Sequence, residues 1–119
     1  MTHVFGIIGN KSLTPHTFVS CDFARKTVQA KSNKSGSNCV VKDVFGEMAE
    51  IWVEGIARVK INVDDPGSRY QRLPLYPGTS LTSGKNGNAI WADPMSDHPK
   101  AILLEEATEI GQVVYVRII

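Results

Sequence analysis

Three histidines, two cysteines and two adjacent acidic pairs are the residues of this 119-residue chain whose types could support chemistry. A metal site needs His, Cys or carboxylate ligands clustered at defined spacing. His3, His16 and His98 are scattered in loop-like contexts, and Cys21 and Cys39 match no zinc signature. Nucleophilic catalysis needs a nucleophile, a base and a group to orient the base. Cys21 sits at an inward position of a strand pattern and reads as a small core hydrophobe, and no Ser lies in a nucleophile elbow. Asp64-Asp65 opens an Asp-Pro-Gly turn; neighbours in extended chain point apart, which suits a turn better than a general acid–base pair. Glu105-Glu106 reads the same way. Gly78 to Gly84-Lys85 imitates a phosphate loop, but five residues separate the glycines and Asn86 stands where a magnesium-binding hydroxyl belongs. The sequence therefore predicts no catalytic residues, no metal and no cofactor.

What remains is architecture. An apolar fraction of 42% and a charged fraction of 21% are those of an ordinary globular domain. Apolar residues recur with period two. Val19, Cys21 and Phe23 share one strand face; Ala57, Val59, Ile61 and Val63 face in while Arg58, Lys60 and Asn62 face out. Residues 49–53 alternate less cleanly, and residues 112–119 read as a final β-branched strand. Glu54-Gly55 between Trp52-Val53 and Ile56-Ala57 predicts a hairpin. Gly36-Ser37-Asn38, Phe45-Gly46-Glu47, Asp65-Pro66-Gly67, Tyr76-Pro77-Gly78, Asn86-Gly87 and Asp93-Pro94 mark turns. Residues 101–109 fit a helix or a strand entering a turn. Residues 44–51 and 109–116 are weakly similar, each with a Gly before a polar residue and a strand. The expected fold is all-β: one β-barrel or sandwich domain over residues 16–119, preceded by an extended N-terminal arm over residues 1–15.

Thirteen basic residues against twelve acidic ones give a net charge of +1, which argues against nucleic-acid binding. The cationic run Arg25, Lys26, Lys31 and Lys34 lies among Ser, Asn and Gln and reads as a solvated loop. No apolar run is long enough to span a membrane, and the N-terminus lacks the features of a secretory signal. The two cysteines are expected as free thiols, with a Cys21–Cys39 disulfide as the alternative.

Large apolar side chains outside a strand pattern are tucked onto the core or reserved for a partner. Candidates for a subunit or partner interface are Val4, Phe5, Ile7 and Ile8 in the arm; Arg69, Tyr70, Arg72, Leu73, Leu75 and Tyr76 in the loop 67–78; Trp91; and the apolar end Ile118-Ile119. Tyr and Arg are enriched at interface centres.

The second half of the chain also carries a pattern. Gly78-Thr79-Ser80-Leu81-Thr82-Ser83, Gly87-Asn88-Ala89, Ala101-Ile102-Leu103-Leu104-Glu105-Glu106-Ala107 and the strand after Gly111 follow one another, and residues 46–57 add a further strand pair. Together these resemble the head decoration, or capsid cement, proteins of tailed bacteriophages. The resemblance implies a small β-barrel or β-tulip-like fold and a dimer or trimer on the outer capsid surface. There it would clamp neighbouring major capsid subunits, after synthesis in the host cytoplasm. It brings no catalytic residues. Two other readings are a tail or baseplate component and a ligand- or carbohydrate-binding module built on Trp52 or Trp91 with Tyr70. Enzyme activity ranks last.

Overall fold

The period-two pattern is realised as ten β-strands in a computed structural model, which describes residues 2–8, 13–22, 27–30, 39–61, 73–84, 87–95 and 98–119. Strands β1 (Thr2–Ile8), β2 (Phe18–Asp22), β3 (Thr27–Ala30), β4 (Cys39–Phe45) and β5 (Met48–Glu54) make the first sheet. Strands β6 (Ile56–Lys60), β7 (Ser80–Ser83), β8 (Ala89–Trp91), β9 (Ala101–Leu103) and β10 (Val113–Ile118) make the second. The first runs β1-β3-β2-β4-β5, and β5 pairs back onto β1, so its ladder closes. Only β1 and β3 are parallel there. The second is antiparallel with order β6-β10-β9-β7-β8. The chain is all-β as expected, and the choice between barrel and sandwich resolves into a sandwich-like stack of a small closed sheet on an open one. A radius of gyration of 13.0 Å is that of one folded unit, for which this length predicts roughly 13–14 Å.

The two layers explain the imperfect alternation of residues 49–53. Ala49, Ile51 and Val53 point into the closed sheet with Leu13, Val19, Cys39 and Val41. Trp52 points the other way with Phe18 and Val40, into the core shared with the second sheet. Strands β2, β4 and β5 are thus buried on both faces where the sheets meet, and a strand with two dry faces has no polar side to show. The second sheet offers Ala57, Ala89 and Ala101 to this shared core, and Ala107 joins them from the segment before β10, small residues that leave room for Phe18 and Trp52. A register shift after Val41 inserts Lys42 into β4 and reverses its parity: Val41 pairs Ile51, but Asp43 pairs Glu50 and Val44 pairs Ala49. Without it Asp43 would enter the barrel; with it Val44 packs there and Asp43 is exposed.

Three expectations change. Residues 2–8 are not an arm reaching for another chain but a strand bonded on both sides, Val4 opposite Ile51, Phe5 opposite Glu50, and Ile7 and Ile8 opposite Thr27 and Val28. Thr27–Ala30, read within a solvated loop, is a strand because β1 and β2 supply partners on either side. Glu54-Gly55 does not make a hairpin. It is the corner where the chain leaves the first sheet, with Gly55 at φ 81° and its carbonyl accepting the Ile118 amide at 2.9 Å. Residues 44–51 and 109–116 fall in different sheets, and in both a positive-φ glycine and a polar residue lead into a strand, Gly46-Glu47 into β5 and Gly111-Gln112 into β10. Residues 101–103 take the strand alternative. The inward set Ala57, Val59 and Ile61 is buried as expected.

Candidate functional site

The interface candidates divide by where the strands put them. Leu75 and Ile118 belong to the shared core, and Leu73 packs against it. Leu75 is held by paired backbone bonds with Ala107, 2.8 and 2.9 Å, which is why an apolar residue in an irregular loop is buried. These three side chains are spent on folding. Tyr76 and Ile119 are exposed, at 59% and 55%. Trp91 is half-buried against the shared core and lines a shallow depression of about 430 Å³ with Thr79, Ser80, Ala92, Pro94 and Pro99. Val4, Phe5, Ile7 and Ile8 lie in β1, and Arg69, Tyr70 and Arg72 lie outside the described residues. Trp52, offered for a ligand-binding module, is buried at 6% and has no face for stacking. Cys39 carries its thiol into the barrel core.

Among the described residues, His16 and His98 do not converge on a site, and the His3 side chain lies outside the description. His98 is exposed in a loop, and the described residues contain no group of three or more His, Cys, Asp or Glu suited to a metal ion. His16 instead joins the two sheets. Its amide donates to the Val41 carbonyl at 2.7 Å and its carbonyl accepts the Lys60 amide at 2.8 Å, so it bonds β4 on one side and the outer edge of β6 on the other. It does so at φ 67°, a left-handed conformation that His adopts more readily than most residues. Burial pushes its imidazole below the ordinary 6.5, and the charges of Arg58 and Lys60 act in the same direction; a hydrogen bond to the Arg58 backbone and the charge of Asp43 oppose them. Nδ1 is buried without a hydrogen-bond partner among the described residues.

Exposed apolar side chains stand in several places, Phe45 and Met48 on the first sheet among them, and one surface these elements leave open is the outward face of the second sheet. Along β6 it carries Ile56, Arg58 and Lys60; along β10, Val113, Tyr115 and Arg117; along β9, Ile102. The registers set Arg58 opposite Tyr115, Lys60 opposite Val113, and Arg117 between Ile56 and Ile102. The Arg58 guanidinium lies 5.2 Å from the centre of the Tyr115 ring, a cation–π contact across the two strands. Ile56 and Tyr115 stay 46% and 47% exposed. At the other end of the sheet this face is covered. Thr82 and Ile90, paired across β7 and β8, are buried, and the Thr82 hydroxyl donates to the His98 carbonyl at 3.0 Å. The sequence signal for this face was present in the alternation of residues 56–62, whose outward members are the ones that remain available.

No protein-family model and no curated protein matches the chain. Among solved structures it resembles the crystal structure of the N base of head fiber gp8.5 in bacteriophage phi29, with a TM-score of 0.61 over 99% of this chain and 93% of that chain, at 17% sequence identity. At that identity the similarity establishes a shared fold, and it spans both sheets rather than one.

Proposed function

We propose that this protein is a structural component of a phage virion that binds the outer surface of the capsid and steadies contacts between major capsid protein subunits. The observation that carries the reading is the fold likeness to a phage head-fiber base across nearly the whole of both chains. It agrees in kind with the sequence resemblance to capsid decoration proteins, which rests on strand and turn motifs rather than on the fold. The body suits such a role, since one buried core lies inside the closed sheet and a second between the two sheets, and side chains such as Tyr76, Ile56 and Tyr115 stand clear of them. A weak contact repeated over a shell lattice adds up to a large effect through multivalency. A dimer or trimer on the shell would add to that effect.

The test is co-sedimentation of the purified protein with undecorated shells assembled from the major capsid protein encoded alongside it, followed by heat challenge of the decorated shells. Saturable binding at a fixed ratio with a raised shell melting temperature is the expected result. A folded, monodisperse protein that stays in the supernatant would refute the reading. One observation favours a second reading, a carbohydrate- or ligand-binding module: the half-buried Trp91 indole beside Thr79 and Ser80 in an open depression. Glycan-array binding lost in Trp91→Ala would support that alternative.

A further inference from the structure

Surfaces of soluble proteins ordinarily intersperse charges of both signs. The outward positions of β6 and β10 do not. They are Ile56, Arg58, Lys60, Val113, Tyr115 and Arg117, three cations and three apolar residues with no carboxylate. The chain as a whole is nearly neutral, at +1, so this is a local separation of charge. Among the described residues none of the three cations is in an ion pair; the side-chain partner of Arg58 is the Tyr115 ring. By contrast Lys42, on the first sheet, is paired with Glu50 at 3.1 Å.

The sheet edges beside this face are already occupied. The β6 edge donates its Lys60 amide to His16, and Ile61 bridges to Ala89 of β8. A partner therefore meets side chains here rather than adding a strand. The geometry points to this face as the docking surface for an acidic protein surface with an apolar centre, and, resting on the capsid-binding reading above, that surface belongs to the shell. Ile56 lies opposite Arg117 and Val113 opposite Lys60, and both would be buried without gain against a phosphate backbone. Tyr115 is the one aromatic ring on these two strands and already has Arg58 against it, whereas single-strand binding surfaces stack successive bases on several rings. Protein interfaces use this combination of Arg, Tyr and aliphatic residues.

The experiment is sedimentation of the full chain with undecorated shells from low to high salt, for the parent protein, Arg58→Glu/Arg117→Glu, and the charge control Lys42→Glu on the other sheet. Thermal melts verify folding; if the double reversal lowers the melt, Arg58→Gln/Arg117→Gln replaces it. Expected is parent binding that weakens with salt, a loss of about 10-fold or more in affinity for the reversal, and little change for the control. Parent binding that the reversal leaves intact would overturn this inference and leave the capsid reading standing. No parent binding would remove both. Duplex DNA is the second probe: binding that the reversal abolishes would overturn the inference in favour of a nucleic-acid surface.

Discussion

Gly87 packs tightly against Phe18 of the first sheet and the preceding Thr17, and replacing it with Ala measures that approach. The residue takes φ +80°, and a Cβ there would collide with the Phe18 carbonyl oxygen and sit 3.2 Å from both the Phe18 amide nitrogen and the Thr17 Cβ. Two of those atoms are backbone of a buried segment, so side-chain motion cannot relieve the clash. Left-handed backbone costs a residue with a Cβ about 1–2 kcal/mol, and forcing a methyl group into packed structure costs about 1–3 kcal/mol more. Gly46 provides the comparison. It takes φ +59° but has nothing within 4 Å of its would-be Cβ, so Gly46→Ala bears only the conformational cost. Unfolding entropy of ~2.1 cal/mol/K per residue over 119 residues is about 0.25 kcal/mol/K. The melting temperature should then fall by about 8–20 °C for Gly87→Ala and about 4–8 °C for Gly46→Ala. Asn, which tolerates the left-handed region, should recover much of the loss at Gly46 and little at Gly87. Calorimetric or circular-dichroism melts decide it. If the two alanine variants melt within about 2 °C of each other, the close approach of the β7–β8 turn to Phe18 is wrong.

Two further predictions concern the layers and their joint. Val40 and Val41 are adjacent and fully buried, but Val40 serves the shared core and Val41 the barrel core; each Val→Ala change should cost about 2–3 kcal/mol. In urea titrations both variants should unfold in one transition, coincident by tryptophan fluorescence and far-UV circular dichroism, because β2, β4 and β5 belong to both cores; a second transition in Val41→Ala alone would show the layers to be independent. His16, with its imidazole held below 6.5 chiefly by burial, takes up a proton less readily in the folded chain than in the unfolded one. Stability should therefore fall as pH drops through 6.5 toward the folded value and level off below it. His16→Asn, which keeps the left-handed backbone accessible, should flatten that limb, and parallel pH profiles for the two proteins would show that another group is responsible.

The sequence is informative wherever one strand face is wet. Residues 56–61 alternate because β6 has the shared core on one side and solvent on the other, and residues 113–118 do the same. It is much less informative where a strand is buried on both faces or interrupted by a bulge. In β4, Cys39, Val40 and Val41 are all buried, and the inserted Lys42 then shifts the inward set from odd to even positions, so no fixed period describes the strand. The short β7 and β8 have their outward residues Thr82 and Ile90 buried, with the Thr82 hydroxyl bonded to the His98 carbonyl, so they have no wet face to make their alternation visible. Glu54-Gly55 has the composition of a hairpin turn, but the choice between turning back and crossing to another sheet is made by β10, which accepts β6 along its whole length and anchors Gly55 at its end. Local turn chemistry carries no record of that distant strand.

The candidate site shows the same division. Unusual apolar residues in loops were the natural place to look for an interface, yet Leu75 is buried in the shared core and Leu73 packs against it. The residues left for a partner are the outward members of the most regular strands, where a polar residue is expected and nothing in a single strand looks exceptional. Arg58 and Lys60 on β6 are ordinary solvent-facing residues when read alone, and so is Arg117 on β10. Only the register, which brings Arg58 to Tyr115 and Arg117 to Ile56, reveals that two segments far apart in sequence build one surface of a single charge sign with apolar residues between. A site of this kind is a property of strand pairing rather than of any motif. The decisive substitutions therefore have to be chosen across β6 and β10 together, since reversing one charge leaves a neighbour about 7–8 Å away on the adjacent strand to sustain the same field.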